Sequence, residues 1–202
     1  MGKFSDYLQR ELGLSNEQAE IVTYGFAVFV SNLAGIVLIV IISWLLGVVQ
    51  LALVAAFTAA GLRVLSGGAH SASIRNCSLL GAIVSPTIAI FSRLAHIYFS
   101  SPLLSALVTA VWLLGLWAVY KYAPADTPNK PITEEKMKKR LRRLSRMYLV
   151  AWFILWGGSA CGIVNLFKSD VILAGTLGLM WQIFSLTPCG YRLVAMVDRM
   201  LP

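Results

Sequence analysis

Long apolar runs separated by short polar breaks make up most of this chain. A helix that crosses the hydrocarbon core of a bilayer needs about 20 apolar residues. Six runs approach or exceed that length: 21–46, 48–65, 79–99, 103–120, 148–167 and 171–186. No run has the strict two-residue alternation of a half-buried strand. The pattern predicts an all-α, polytopic membrane protein with about six transmembrane helices, forming a single domain over residues 1–202.

The first 20 residues have a different pattern, in which charged and apolar positions are mixed. Their apolar residues fall on one face of a helix, which is typical of an amphipathic helix lying on a membrane surface. Ser15 and Gln18 have the spacing of a capping box for the helix that follows. We therefore expect an N-terminal interfacial helix over residues 1–20.

Composition and charge support the membrane class and predict its orientation. The chain is 58% hydrophobic and 13% charged, whereas a soluble domain is about 45–50% apolar and about 25% charged. Nine basic and three acidic residues lie between 121 and 146, and short loops rich in Lys and Arg stay in the cytoplasm. Counting helices from this predicted basic cytoplasmic loop places both termini and residues 63–78 in the cytoplasm. The net charge of +8 then reflects the basic loop that sets the orientation of the protein in the membrane, and no nucleic-acid partner is expected.

The break at residues 63–77 contains the residues with the clearest chemistry. His70 and Cys77 are the residue types of thiolate catalysis, in which imidazole takes the thiol proton and sulfur attacks a carbonyl. On one continuous helix, seven residues rise roughly 10.5 Å, too far for a hydrogen bond between the two side chains. A catalytic pair therefore requires a bend between them, and cytosol would keep Cys77 a free thiol.

Small and hydroxyl residues around the pair provide that bend. Gly67 and Gly68 can end the second helix, and Ser71 or Ser73 can cap the third. Cys77 would then lie in or near a first helical turn, where the helix dipole and nearby Arg75 favour a thiolate.

A structural interpretation of the same residues stays open: a small buried cysteine and an interfacial histidine in a re-entrant loop of a channel or transporter. His96 is expected near the outer face, away from Cys77. Cys161 is expected in a helix core, and Cys189 is a second cytoplasmic thiol without a histidine. Two distant histidines and sparse carboxylates do not make a zinc site, so no metal and no cofactor are expected.

Three segments together resemble one family. They are R-V-L-S-G-G-A-H-S-A-S-I-R-N-C (63–77), Y-A-P-A-D-T-P-N-K-P-I (122–132) and the basic stretch that follows. This combination resembles the accessory gene regulator B (AgrB) family of bacterial membrane peptidases. The resemblance implies a protein that cuts the C-terminal tail from a quorum-sensing pro-peptide and helps to close a thiolactone or lactone ring.

The resemblance also implies roles for individual residues. His70 would be the general base and Cys77 the nucleophile. Arg63 and Gly68 match supporting positions of the family, and Asp126 is a candidate to orient His70. The implied partners are a short pro-peptide with an acidic C-terminal tail, the bilayer of a bacterial cell membrane and a second copy of the chain in a homodimer.

Two other classes of function fit the pattern of helices. One is a small transporter or peptide exporter without proteolytic activity, in which the polar break lines a path. The other is a non-catalytic scaffold whose basic segment binds anionic lipids. Cleavage of a peptide by the purified protein separates both from a peptidase.

Overall fold

The computed structural model describes residues 9–11, 13, 15–71, 73–125, 134–163 and 166–200, apart from the side chain at position 74. The helices with described bounds are α1 (Asn16–Leu45), α2 (Val49–Ser66), α3 (Ile74–Ala95), a 3-10 turn (His96–Tyr98), α4 (Ser101–Tyr122), α5 (Glu135–Ala160), α6 (Ser169–Leu186) and α7 (Pro188–Met200). The described residues contain no strand, and one isolated bridge pairs Gly67 with Ala125. The all-α class is confirmed.

Five of the described helices are long and apolar enough to cross a membrane: α1, α2, α3 with its 3-10 extension, α4 and α6. They correspond to five of the six predicted spans, and they confirm a polytopic membrane protein. The predicted capping box at the start of α1 is also present, with Ser15 and Gln18 exchanging side-chain and backbone hydrogen bonds. Of the predicted interfacial helix over residues 1–20, positions 1–8, 12 and 14 lie outside the described residues, and residues 16–20 belong to α1 instead.

The remaining predicted span, 148–167, the fifth along the chain, is wrong in its limits. Only its first part is in α5, which begins at Glu135 and already ends at Ala160. The chain turns there through Gly162, whose φ is +73°. The same helix takes up residues 135–146, so much of the predicted basic loop is helical. Lys, Arg, Leu and Met all favour a helix, and hydropathy alone does not register that preference.

Cys161 corrects another expectation. It was expected in the middle of a helix and in the core, but it is the C-cap of α5 and is exposed. The helix ends at this point because its last turn closes onto Gly162, whose amide bonds to the Ser159 carbonyl at 3.2 Å.

Helix α6 forms the centre of the bundle. In its spanning segment 67% of the residues are buried, against 11% in α1. It packs against α2, α3 and α4, and it approaches α2 so closely that a Cβ on Gly178 would overlap the Ala55 backbone. Small residues permit such close packing between membrane helices. The polar break after α2 lies against the C-terminal end of α6, where the Ala69 amide bonds to the Ser185 carbonyl.

Candidate functional site

The predicted break between the second and third spans is present in the structure. Helix α2 ends at Ser66, and Gly67 and Gly68 follow with φ of +70° and +144°, values that favour glycine. Helix α3 begins after its N-cap, Ser73, and the Cys77 amide bonds to the Ser73 carbonyl at 3.2 Å. Cys77 therefore lies in the first turn of α3, and His70 lies in the loop before it.

Close backbone packing holds both glycines. A Cβ on Gly67 would overlap the carbonyl of Ala125, whose amide bonds to the Ser66 carbonyl at 2.8 Å. A Cβ on Gly68 would lie 2.8 Å from Ser185 Oγ. The loop is thus held between the segment after α4 and the end of α6, and side chains at these two positions would push it away from both.

Arg63 connects the elements of the site. From the last turn of α2 it donates one hydrogen bond to the Ala69 carbonyl and another, at 3.4 Å, to Gln182 Oε1. Its guanidinium lies close enough to both His70 and Cys77 to interact with them electrostatically. The two candidate catalytic residues therefore share one charged neighbour.

The imidazole and the thiol belong to one loop–helix unit, but they differ in exposure. His70 is exposed and Cys77 is half-buried. No hydrogen bond joins their side chains among the described contacts, and catalytic hydrogen bonds often tighten only when a substrate binds. Their catalytic roles remain a prediction.

The surroundings of His70 favour its neutral form. Packing around the ring, and then the positive charge of Arg63, lower the pKa of His70 below its ordinary value of 6.5. Both effects disfavour the imidazolium. A neutral imidazole is the form that can accept a proton from a thiol.

Two polar residues of α6 support the loop and were missed by the sequence analysis. Gln182, with 1% of its surface exposed, donates to the Gly67 carbonyl at 2.8 Å and accepts from Ser185 Oγ at 3.1 Å. The Ser185 carbonyl in turn accepts from the Ala69 amide at 2.9 Å. The available signal was a glutamine inside the apolar run 171–186, where an unpaired polar group is costly.

A third residue missed by the sequence analysis comes from α7. The Asp198 carboxylate accepts a hydrogen bond from the Ser71 hydroxyl and another, at 3.2 Å, from Asn76 Nδ2. These two partners directly follow His70 and directly precede Cys77. The C-terminal sequence mixes charged and apolar residues, and nothing in it indicated this contact.

The remaining predicted residues lie in different places. Arg75 is exposed in the first turn of α3. Asp126 lies outside the described residues, so its proposed role stays a prediction. His96 lies at the opposite end of α3, about 30 Å from the first turn by helical rise, and its Nδ1 pairs with the Arg93 carbonyl at 2.9 Å. The described residues hold no group of three His, Cys, Asp or Glu side chains placed to bind a metal.

Replacing Gln182 by methionine is expected to lower the free energy of unfolding by about 1–3 kcal/mol, because the Gly67 carbonyl loses one of its two hydrogen bonds and one Arg63 N–H loses its acceptor. Unfolding titrations in detergent measure the change. The matched control is Gln50→Met, the same substitution at an exposed position of α2, which should have little effect. Equal stability of both variants would contradict the role given to Gln182.

Comparison with known proteins agrees with this architecture. The profile of the family described as accessory gene regulator B matches residues 1–186. An AgrB-like protein of Clostridium perfringens (strain SM101 / Type A) is 35% identical over 96% of this chain and 92% of its own length. AgrB-like protein 2 of C. perfringens (strain 13 / Type A) is 32% identical with the same coverage.

A more distant AgrB-like protein, from Halalkalibacterium halodurans, is 24% identical over 92% of this chain and 84% of its own length. No solved structure matches the chain. The match to the family profile covers all of the described spanning helices and the whole of the loop that holds His70 and Cys77. This protein therefore belongs to the accessory gene regulator B family.

Proposed function

We propose that this protein is a membrane-embedded cysteine endopeptidase that removes the C-terminal tail of a quorum-sensing pro-peptide and promotes closure of a thiolactone or lactone ring. Family membership supports a role in the accessory gene regulator system. The observation that carries the enzymatic step is the broken segment between α2 and α3: Gly67 and Gly68 follow the end of α2, His70 lies in the loop, and Cys77 lies in the first turn of α3.

The reaction divides into two transfers of the acyl group. Neutral His70 accepts the thiol proton, and Cys77 Sγ attacks the carbonyl carbon of the scissile bond. The tetrahedral intermediate collapses with cleavage of the C–N bond, and His70 returns the proton to the departing amine. The N-terminal fragment is then held as a thioester on Cys77.

The thioester keeps the acyl group reactive toward a second nucleophile. A thiol or hydroxyl of the same peptide attacks it, loses its proton to His70 and displaces the Cys77 thiolate, which closes the ring. Water would give the linear acid instead, so cyclisation requires a site that excludes water. The half-buried position of Cys77 supports this requirement, and the N-terminus of α3 favours negative charge on the sulfur and on the oxyanion.

The tail of the substrate would meet the basic face of α5. Exposed basic side chains at the spacing of one helical face in its first half are Lys136, Lys139, Arg140, Arg143 and Arg146. An acidic tail would bind such a face by charge complementarity. Under this proposal the site, both termini and the basic segment lie on the cytoplasmic side, and the expected assembly is a homodimer.

Trapping of the acyl-enzyme tests the proposal. The purified protein, mixed with a synthetic pro-peptide and quenched in acid, is expected to carry the mass of the N-terminal fragment on Cys77, and hydroxylamine should release it. Cleavage with an adduct on a different residue would contradict the mechanism. Uptake of uncut peptide into proteoliposomes, without cleavage, would favour the peptide-exporter alternative.

A further inference from the structure

The C-terminal helix α7 lies beyond residues 1–186, the part of the chain that the family profile matches. It packs against α6, which already supports the candidate site through Gln182 and Ser185. Near its C-terminal end, Asp198 contacts the loop that contains His70. The two contacts span 127 and 122 residues of sequence, so they link the last helix directly to the site.

Both contacts end on one oxygen of the Asp198 carboxylate. A carboxylate only accepts hydrogen bonds, so the Ser71 hydroxyl must donate to Asp198 Oδ1. The Ser71 oxygen also accepts from the Ser73 amide at 3.1 Å, which fixes the start of α3. Asn76, with 1% of its surface exposed, donates its Nδ2 to the same carboxylate oxygen. Hydrogen bonds to a charged acceptor are about twice as strong as neutral ones.

We infer that Asp198 is a positioning residue for the His70–Cys77 pair. Its carboxylate accepts hydrogen bonds from Ser71 and Asn76. Ser71 adjoins His70 in the loop, and Asn76 adjoins Cys77 in the first turn of α3. By holding these two neighbours on one oxygen, Asp198 sets the separation of the imidazole and the thiol. This role rests on the proposed function, because it concerns the geometry of the reaction that the pair carries out.

Removal of the carboxylate should lower the rate of the chemical step and have a smaller effect on the affinity for substrate. A displacement of about 1 Å in a catalytic group can cost roughly 10²-fold in rate. For Asp198→Asn we expect kcat to fall about 10- to 100-fold, with KM nearly unchanged. Asp198→Glu keeps the charge and should recover part of the loss, which a role in packing alone would not produce.

Two measurements follow the loop without relying on cleavage. Amide hydrogen exchange across residues 67–77 should accelerate in Asp198→Asn, while exchange in α4 and α5 stays unchanged. The alkylation rate of Cys77 by N-ethylmaleimide should change, while that of Cys161, an exposed thiol at the end of α5, should not. Arg199→Gln is the control, because it removes an exposed charge from the neighbouring position of α7.

The outcomes are distinguishable. If loop exchange and Cys77 alkylation in Asp198→Asn match those of the wild type, the inference is wrong. A uniform rise in exchange across all helices, with a lower melting temperature, would also overturn it and make Asp198 a general stabiliser. If the wild type does not cut the pro-peptide, the proposed function fails, while exchange and alkylation still decide whether Asp198 holds the loop.

Discussion

Replacement of Cys77 by serine is expected to abolish pro-peptide cleavage, and replacement of His70 by alanine should lower it by at least about 10²- to 10⁴-fold. Serine is a far weaker nucleophile than a cysteine thiolate, and without the imidazole no group in the loop accepts the thiol proton. Peptide cleavage by purified protein in detergent, followed by mass spectrometry, measures both losses. The amount of folded protein extracted from membranes should stay at the wild-type level.

Matched variants elsewhere in the chain make this result specific. Cys161→Ser and Cys189→Ser remove the other two thiols, both exposed, and His96→Ala removes the second histidine at the far end of α3. All three should cut the peptide at the wild-type rate. Persistent cleavage by both Cys77→Ser and His70→Ala would make the enzyme assignment wrong. Loss of cleavage in Cys161→Ser or Cys189→Ser would assign the nucleophile to that cysteine instead of Cys77.

The pH dependence of cleavage is expected to follow the lowered pKa of His70. Only neutral imidazole accepts the thiol proton, so kcat/KM should rise with pH as His70 loses its proton. Because partial desolvation of the ring and then the charge of Arg63 lower the pKa of His70, this rise should occur below pH 6.5. Removal of the charge in Arg63→Gln should raise that pKa and move the rise to higher pH.

The comparison between Arg63→Gln and Arg63→Lys isolates the effect of the Arg63 charge on the pKa of His70. Both variants lose the planar fork that reaches the Ala69 carbonyl and Gln182 Oε1, so both should have a lower maximal rate. Only the lysine variant keeps a positive charge near the imidazole. Profiles of kcat/KM against pH that rise at the same pH in both variants would show that Arg63 does not tune His70.

The break between α2 and α3 was predictable because its causes are local. Two adjacent glycines interrupt an apolar run, and both adopt backbone conformations that L side chains rarely take. A catalytic pair of His70 and Cys77 would require a break in the helix, and the loop that begins at Gly67 and Gly68 separates α2 from α3. The lengths of the apolar runs likewise predicted five of the spans, since the thickness of a bilayer sets a minimum length for each helix.

The supports of the loop were not predictable because they depend on the arrangement of the helices. Gln182, Ser185 and Asp198 contact the loop from helices that follow it by more than 100 residues, and nothing in their local sequence indicates which element they face. The limits of α5 were missed for a different reason. Its basic first half is a good helix former that extends beyond the apolar segment, and hydropathy registers only the apolar part.

The dependence of the loop on α6 and α7 has a consequence for synthesis of the protein. The contacts of Gln182 and Asp198 with the loop join residues 115 to 127 positions apart. A ribosome that adds about 5–20 residues per second needs roughly 6 to 25 s to cover that distance. During this interval the nascent chain carries the thiol and the imidazole without their supports, so the candidate site is complete only when the last helix has been made.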